Sequence, residues 1–411
     1  MTVDYPQPLT AELSNGLRIV HLPSRSAVGY FGVAVRAGSR DDGALPGIAH
    51  FVEHTIFKGT QRRRSYHIIN RMERVGGELN AYTSKEDTFV YSIFPCSHYA
   101  RAVELIGDLI ANSLFPDGEL DKEREVVLDE IASYRDMPSE AVYDDYEDMI
   151  FAGSGLGHNI LGDADALCRA HSAECRQFLG RGYRPDNMVV FSVGDIPMGR
   201  LCRQVEAAFG ASLASRSGGS EPHSRPPLQA PFAQRVNIDA HQAHSIYGVR
   251  LFDMYDERRF ALSLLNNVLG GPGMNSLLNV ELRERRGYVY TVESASTLYT
   301  DCGLWTTYFG CDEQHLERCH RLIGQCIERL AERGLTPRQL SLAKQQYVGQ
   351  LQVAAENMES RALALGKAML YYGRVSTPAD TERRILNVDS EQLREVAELL
   401  TPDKASTLSF V

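Results

Sequence analysis

The spacing of apolar residues along this chain changes period at recognisable places. From Arg18, "RIVHLPSRSAVGYFGVAVRAGS" alternates apolar and polar positions and is rich in β-branched residues, which predicts two strands. Residues 45–57, "LPGIAHFVEHTIF", follow with helical spacing and a proline near the start, which predicts a helix. The same order returns later: "QRVNIDAHQAHSIYGVRL" predicts two strands and "ERRFALSLLNNVLGG" an apolar helix. Farther on, the segments beginning at His98 and His315 each read as a helix, a turn and another helix. Within them Leu105-Ile106-Gly107 recurs as Leu322-Ile323-Gly324, 217 positions on. Repetition at that distance, far beyond the ~20–50 residues of a solenoid repeat, points to a duplicated α/β unit.

Between the copies, "ASLASRSGGSEPHSRPPLQ" is poor in large apolar residues and rich in Ser, Gly and Pro, as a linker should be. The division that follows is 1–210, a linker at 211–229, and 230–411. A length of 411 residues fits two cores better than one.

Composition narrows the function. No apolar run approaches the roughly 18 residues of a membrane span, so no membrane partner is expected. The N-terminus has neither a signal-peptide pattern nor the Arg-rich character of a transit peptide, which leads to the expectation of a cytoplasmic protein. Eight cysteines occur without a C-x-x-C pair and read as reduced thiols, with Cys168/Cys175 and Cys319/Cys326 as small buried hydrophobes. A formal net charge of −10 argues against nucleic acid as a partner. The basic cluster Arg62-Arg63-Arg64 reads as decoration on the solvated start of a helix. "LGGPGMNS", from Leu269, lacks the Lys-Ser/Thr of a phosphate loop and reads as a turn.

The chemistry concentrates at residues 50–54. On a helix, His50 and His54 stand one turn apart on one face, and Glu53 projects from the same side. Two imidazoles so spaced suit a tetrahedral zinc ion, and the neighbouring carboxylate can take a proton from water. The order is H-x-x-E-H, the inverse of H-E-x-x-H. A third ligand is needed, and "DKEREVVLDEIASY" offers Glu123 and Glu130 two turns apart, with Val126, Val127 and Ile131 expected to pack around them. Glu130 lies in the more apolar part of the helix and is the expected ligand, with Glu123 orienting a ligand or balancing charge. The corresponding helix of the second copy offers no acids at these places.

"AHFVEHTIFKGT", "LNAYTSKEDT" and "DKEREVVLDE" together resemble the insulinase/pitrilysin family of zinc metallopeptidases, and in particular its two-domain branch with mitochondrial processing peptidase and its bacterial relatives. The resemblance spans nearly the whole chain. It implies an α+β fold of two homologous α/β domains, each a mixed, mostly antiparallel sheet packed with helices, together forming half of a clamshell. It implies one Zn2+ per chain on His50, His54 and Glu130, Glu53 as general base, and Glu123 as supporting acid. "LRERRGYVYTV" looks like the family's arginine and tyrosine motif, which assigns Arg283 and Tyr290 to the oxyanion. Asn80, Ala81 and Tyr82 are implied to form an edge to which an extended peptide adds as a strand. The expected protein is thus a zinc metalloendopeptidase acting on unfolded or extended peptides as a homodimer with composite sites. The rival is a non-catalytic or partner subunit of a heterodimeric peptidase.

Overall fold

The computed structural model describes residues 7–210, 213, 223–238 and 240–411, so most of the expected linker lies outside the described residues. Two compact units result, each built on one sheet.

The first sheet contains β1 (Leu9–Glu12), β2 (Arg18–Pro23), β3 (Val28–Val35), β4 (Glu78–Thr83), β5 (Thr88–Pro95) and β6 (Met188–Gly194), in the order β1-β2-β6-β3-β5-β4. Only β2 and β6 run parallel. The second contains β7 (Ala233–Val236), β8 (Ala243–Leu251), β9 (Val289–Leu298), β10 (Gly303–Cys311) and β11 (Ser406–Phe410), in the order β7-β11-β8-β10-β9, with β7 and β11 parallel. Setting β1 aside, the two orders and their single parallel pair coincide. The duplication expected from the sequence is therefore a duplication of topology, and the mixed, mostly antiparallel α+β class holds for both units. The two predicted strand pairs are β2 with β3 and β7 with β8.

Each sheet buries one face under helices. In the first unit Phe51 and Val52 from helix Ile48–Thr55 and Leu105, Ile106 and Leu109 from helix Tyr99–Asn112 meet Phe31, Val33 and Val190 of the sheet. In the second, Leu262 and Leu265 from helix Arg259–Gly270 and Ile323 and Ile327 from helix Leu316–Arg333 meet Trp305 and Phe309. All of these side chains are withdrawn from water, which is the dominant favourable contribution to folding.

The compact units do not follow the contiguous division at 210 and 230. Ser133–Gly157 belongs with the second unit and Ala355–Thr377 with the first. The reason is coverage of the other sheet face. Helix Pro138–Ile150 lays Val142, Tyr146 and Ile150 into a cluster with Ile246, Leu304, Tyr308 and Leu408. Helix Met358–Tyr372 packs on β2, β3 and β6. There Tyr371 donates to Asp87 Oδ2 at 2.8 Å and Arg18 donates to the Met369 carbonyl at 3.1 Å.

Smaller expectations are corrected too. Val126 is 52% exposed and does not pack, whereas Val127 and Ile131 do. Cys168 is exposed, while Cys175, Cys319 and Cys326 are buried thiols. Arg63 is no surface decoration: it donates to Asp108 and Glu104, and the Asp108 carboxylate is fully buried. Among the described residues no helix is long and apolar enough to cross a membrane.

Candidate metal centre

Helix Ile48–Thr55 is short and begins at Gly47, whose φ of 92° is in the left-handed region and which has no side chain to cap the helix. Asp42 does that work from five residues upstream. Its Oδ2 accepts from the Gly47 N–H at 2.6 Å and its Oδ1 from the Ala49 N–H at 2.9 Å, satisfying two donors of the first turn. His158 Nε2 lies 3.0 Å from Asp42 Oδ2. Burial pushes the Asp42 carboxyl above its usual range, and these hydrogen bonds oppose the shift.

With Phe51 and Val52 turned into the core, the opposite side of the helix presents His50, Glu53 and His54. The two rings lie 4.5 Å apart, centroid to centroid. Helix Asp117–Arg135 passes alongside and supplies Glu130, whose Oε2 is 3.8 Å from His50 Nε2 and 3.5 Å from His54 Nε2. Nitrogen and oxygen ligands on a tetrahedral zinc lie roughly 3.3–3.6 Å from one another. The trio therefore fits such an ion with little adjustment, and it is the group among the described residues that could hold a metal. Burial, with His54 nearby, lowers the His50 pKa to about 3, so its ring is neutral and keeps a lone pair for a metal.

Glu123 lies on the Nδ1 side of His54. Its Oε1 is 3.1 Å from His54 Nδ1, leaving Nε2 of that ring facing Glu130, and its Oε2 pairs with Lys58 at 2.5 Å. The sequence argument that Glu130 lies deepest is reversed: the Glu123 side chain is 12% exposed and that of Glu130 31%. Direction, not depth, brings Glu130 to the imidazoles. His50 has no comparable support, because its Nδ1 is buried without a hydrogen-bond partner among the described residues.

Glu53 points toward β4, where Thr83 bonds to it through side chain and backbone. Burial raises its pKa, the Thr83 bonds and His54 oppose the rise, and Glu130 adds to it. Strand β4 is the edge of its sheet and carries Asn80, Ala81 and Tyr82, paired on one side with Tyr91, Val90 and Phe89 of β5. These three residues thus lie on an edge strand.

Arg283 and Tyr290 lie in the second unit. Arg283, on a π-helical turn Asn279–Glu284, lines a cavity of about 430 Å³ with Asn266, Asn267, Ser294 and Tyr347. The Leu269–Ser276 segment bends along one wall of it. Tyr290 is 58% exposed on β9, is not part of that lining, and has its hydroxyl 3.1 Å from Asp312 Oδ1. Sequence reasoning passed over Thr83, Lys58 and Asp42. Lys58 lies three residues past the end of the His54 helix, so no helical spacing marks it, and all three reach the site only through tertiary folding.

Fold and site together define an α+β protein with a duplicated sheet and, on its first unit, a His/His/Glu group that could hold a metal. The chain belongs to the insulinase family, peptidase family M16. Residues 20–164 match the insulinase sequence model and residues 172–347 match that of the peptidase M16 inactive domain. An uncharacterized zinc protease of Streptomyces coelicolor is 34% identical over 394 residues, covering 94% of this chain and 85% of the relative. One of Bacillus subtilis is 32% identical over 398 residues, covering 96% of each. A protease of known structure from Helicobacter pylori superposes with a TM-score of 0.92 at 20% identity, covering 99% of this chain and all of that one. A structure from Pseudomonas fluorescens, described as a peptidase M16 inactive domain, gives 0.91 at 20% identity, covering 98% and 97%.

Proposed function

We propose that this chain is a zinc-dependent endopeptidase that cleaves extended peptides. The observation that carries the reading is the convergence of His50, His54 and Glu130 within ligand distance of one another, with Glu53 beside them. A zinc ion bound there would supply Lewis-acid chemistry, polarising a peptide carbonyl and lowering the pKa of water. His50, His54 and Glu130 would hold it, and Glu123 fixes the tautomer and orientation of His54 by occupying Nδ1. The Glu53 carboxylate takes the proton of the attacking water and returns it to the leaving amine. Its partly buried position favours this, since a carboxylate less stabilised as an anion is a stronger base. The open side of β4 at Asn80, Ala81 and Tyr82 pairs with the peptide backbone, which orients the scissile bond without demanding particular side chains.

Arg283 and Tyr290 are assigned to the oxyanion, as donors in a closed chamber formed by two copies. Since one sequence carries both the zinc motif and the Arg/Tyr pair, a homodimer makes two composite sites. The non-catalytic reading is disfavoured by the division of the two family matches: the "inactive domain" match covers the half without the histidine motif. The test is a metal assay with digestion of a mixed peptide library by wild type and Glu53→Gln. The variant is expected to keep the metal and lose about 10²–10⁴ in turnover. Wild-type turnover in Glu53→Gln removes the assigned base.

A further inference from the structure

The Nδ1 of His50 has no hydrogen-bond partner among the described residues, yet the start of its helix is fixed unusually firmly. Asp42 is 4% exposed and uses both carboxylate oxygens on the first-turn N–H groups of Gly47 and Ala49, the residues flanking Ile48 and immediately preceding His50. His158 closes the arrangement from the far side of Asp42. The segment after His158 lies directly against the helix start: a Cβ on Gly47 would come within 2.5 Å of the Leu161 carbonyl oxygen, and one on Gly162 within 2.1 Å of the Pro46 carbonyl oxygen. Both glycines also have positive φ, so no other residue fits either place without strain.

The same clamp reaches the substrate edge. The His158 carbonyl accepts from Lys85 Nζ, and Lys85 is two residues beyond Thr83, the partner of Glu53. The Ser84 and Lys85 carbonyls accept from the Ser39 and Arg40 N–H groups at 3.1 and 2.8 Å, just ahead of Asp42. One connected set of bonds therefore ties the helix that carries His50, Glu53 and His54 to the turn that ends β4.

We propose that Asp42 and His158 are positioning residues that set the metal-binding helix in register with edge strand β4. The inference rests on the metal-centre reading for its consequence, though not for its geometry. Zinc affinity measured against a chromophoric chelator, and the visible spectrum of the cobalt-substituted protein, report the ligand arrangement directly. Asp42→Asn can accept from only one of the two N–H groups through its single oxygen, and His158→Ala removes the closing donor. Each is expected to weaken metal binding about 10–100-fold and to alter the cobalt spectrum, as loss of an outer partner does elsewhere. His158→Gln keeps a donor toward Asp42 and is expected to stay within about threefold of wild type. Amide hydrogen exchange of the metal-free full chain supplies the second readout. Exchange in His158→Ala should quicken in Ile48–Thr55 and Glu78–Thr83 together, while β8 and β10 stay as protected as before. Folded Asp42→Asn and His158→Ala proteins with wild-type affinity and spectrum overturn the proposal, as does loosening of the helix with the strand unchanged. If Asp42→Asn fails to fold, the two His158 variants decide. A wild-type chain that takes up no metal removes the metal-centre reading alone, and the paired exchange still decides the clamp.

Discussion

Among single residues, the two acids of helix Asp117–Arg135 separate most cleanly by experiment. Glu130 reaches both imidazoles at 3.5 and 3.8 Å, whereas Glu123 pairs with the Nδ1 of His54 and the ammonium of Lys58. Glu130→Gln is therefore expected to lose more metal affinity than Glu123→Gln, for which a loss of about 10–100-fold is typical of an orienting partner. Equilibrium dialysis against zinc checks the order, and retention of metal by Glu130→Gln with loss in Glu123→Gln reverses the assignment. The histidines and Glu53 were legible in the sequence because they sit within five positions of one helix, where spacing alone fixes the face. The choice between Glu123 and Glu130 rested partly on apolar surroundings, a guide that the exposures contradict. Thr83 and Asp42 were invisible because their contacts cross from strand to helix and from loop to helix, and no local period records such a meeting.

At the scale of elements, the two units join helix to sheet through the same device, a serine hydroxyl shared between a histidine and a neighbour. In the first, Ser192 on β6 lies 3.2 Å from His21 Nδ1 and 3.2 Å from the hydroxyl of Tyr99. In the second, Ser245 on β8 lies 3.0 Å from His320 Nε2 and 2.8 Å from Ser409 Oγ on β11. Burial lowers the pKa of both rings, that of His320 to about 4. The unfolded chain then binds protons at these positions more readily than the folded one between about pH 6.5 and 4, so stability falls as pH falls through that window. For His320 the loss is on the order of 2–3 kcal/mol from pH 7 to 4. Urea unfolding at several pH values measures it, and His320→Leu should flatten the slope; an unchanged slope assigns the acid sensitivity elsewhere. One strand pair and the main helices of each copy followed from alternation and helical spacing, which is why the duplication is legible in the sequence. The exchanged helices could not, since nothing in the amphipathic pattern of Pro138–Ile150 or Met358–Tyr372 names the sheet that will receive it.

For the whole molecule, the homodimer reading makes a prediction by mixture. A Glu53→Gln chain and an Arg283→Ala/Tyr290→Phe chain, each inactive alone, should recover roughly the activity of one intact site per mixed dimer once subunits exchange. No recovery after proven exchange means that the two halves of the chemistry act within one chain or not at all. The crossing of Ser133–Gly157 and Ala355–Thr377 between the units has a consequence during synthesis. Strand β6 ends at Gly194, yet the helix that covers its sheet is complete only at Tyr372, and at ~5–20 residues per second the interval is roughly 10–35 s. For that time the nascent chain carries a bare apolar sheet face at the ribosome, a surface that holding chaperones recognise. A chain terminated at residue 210 should stay bound to them and resist release, while the full-length chain should let go.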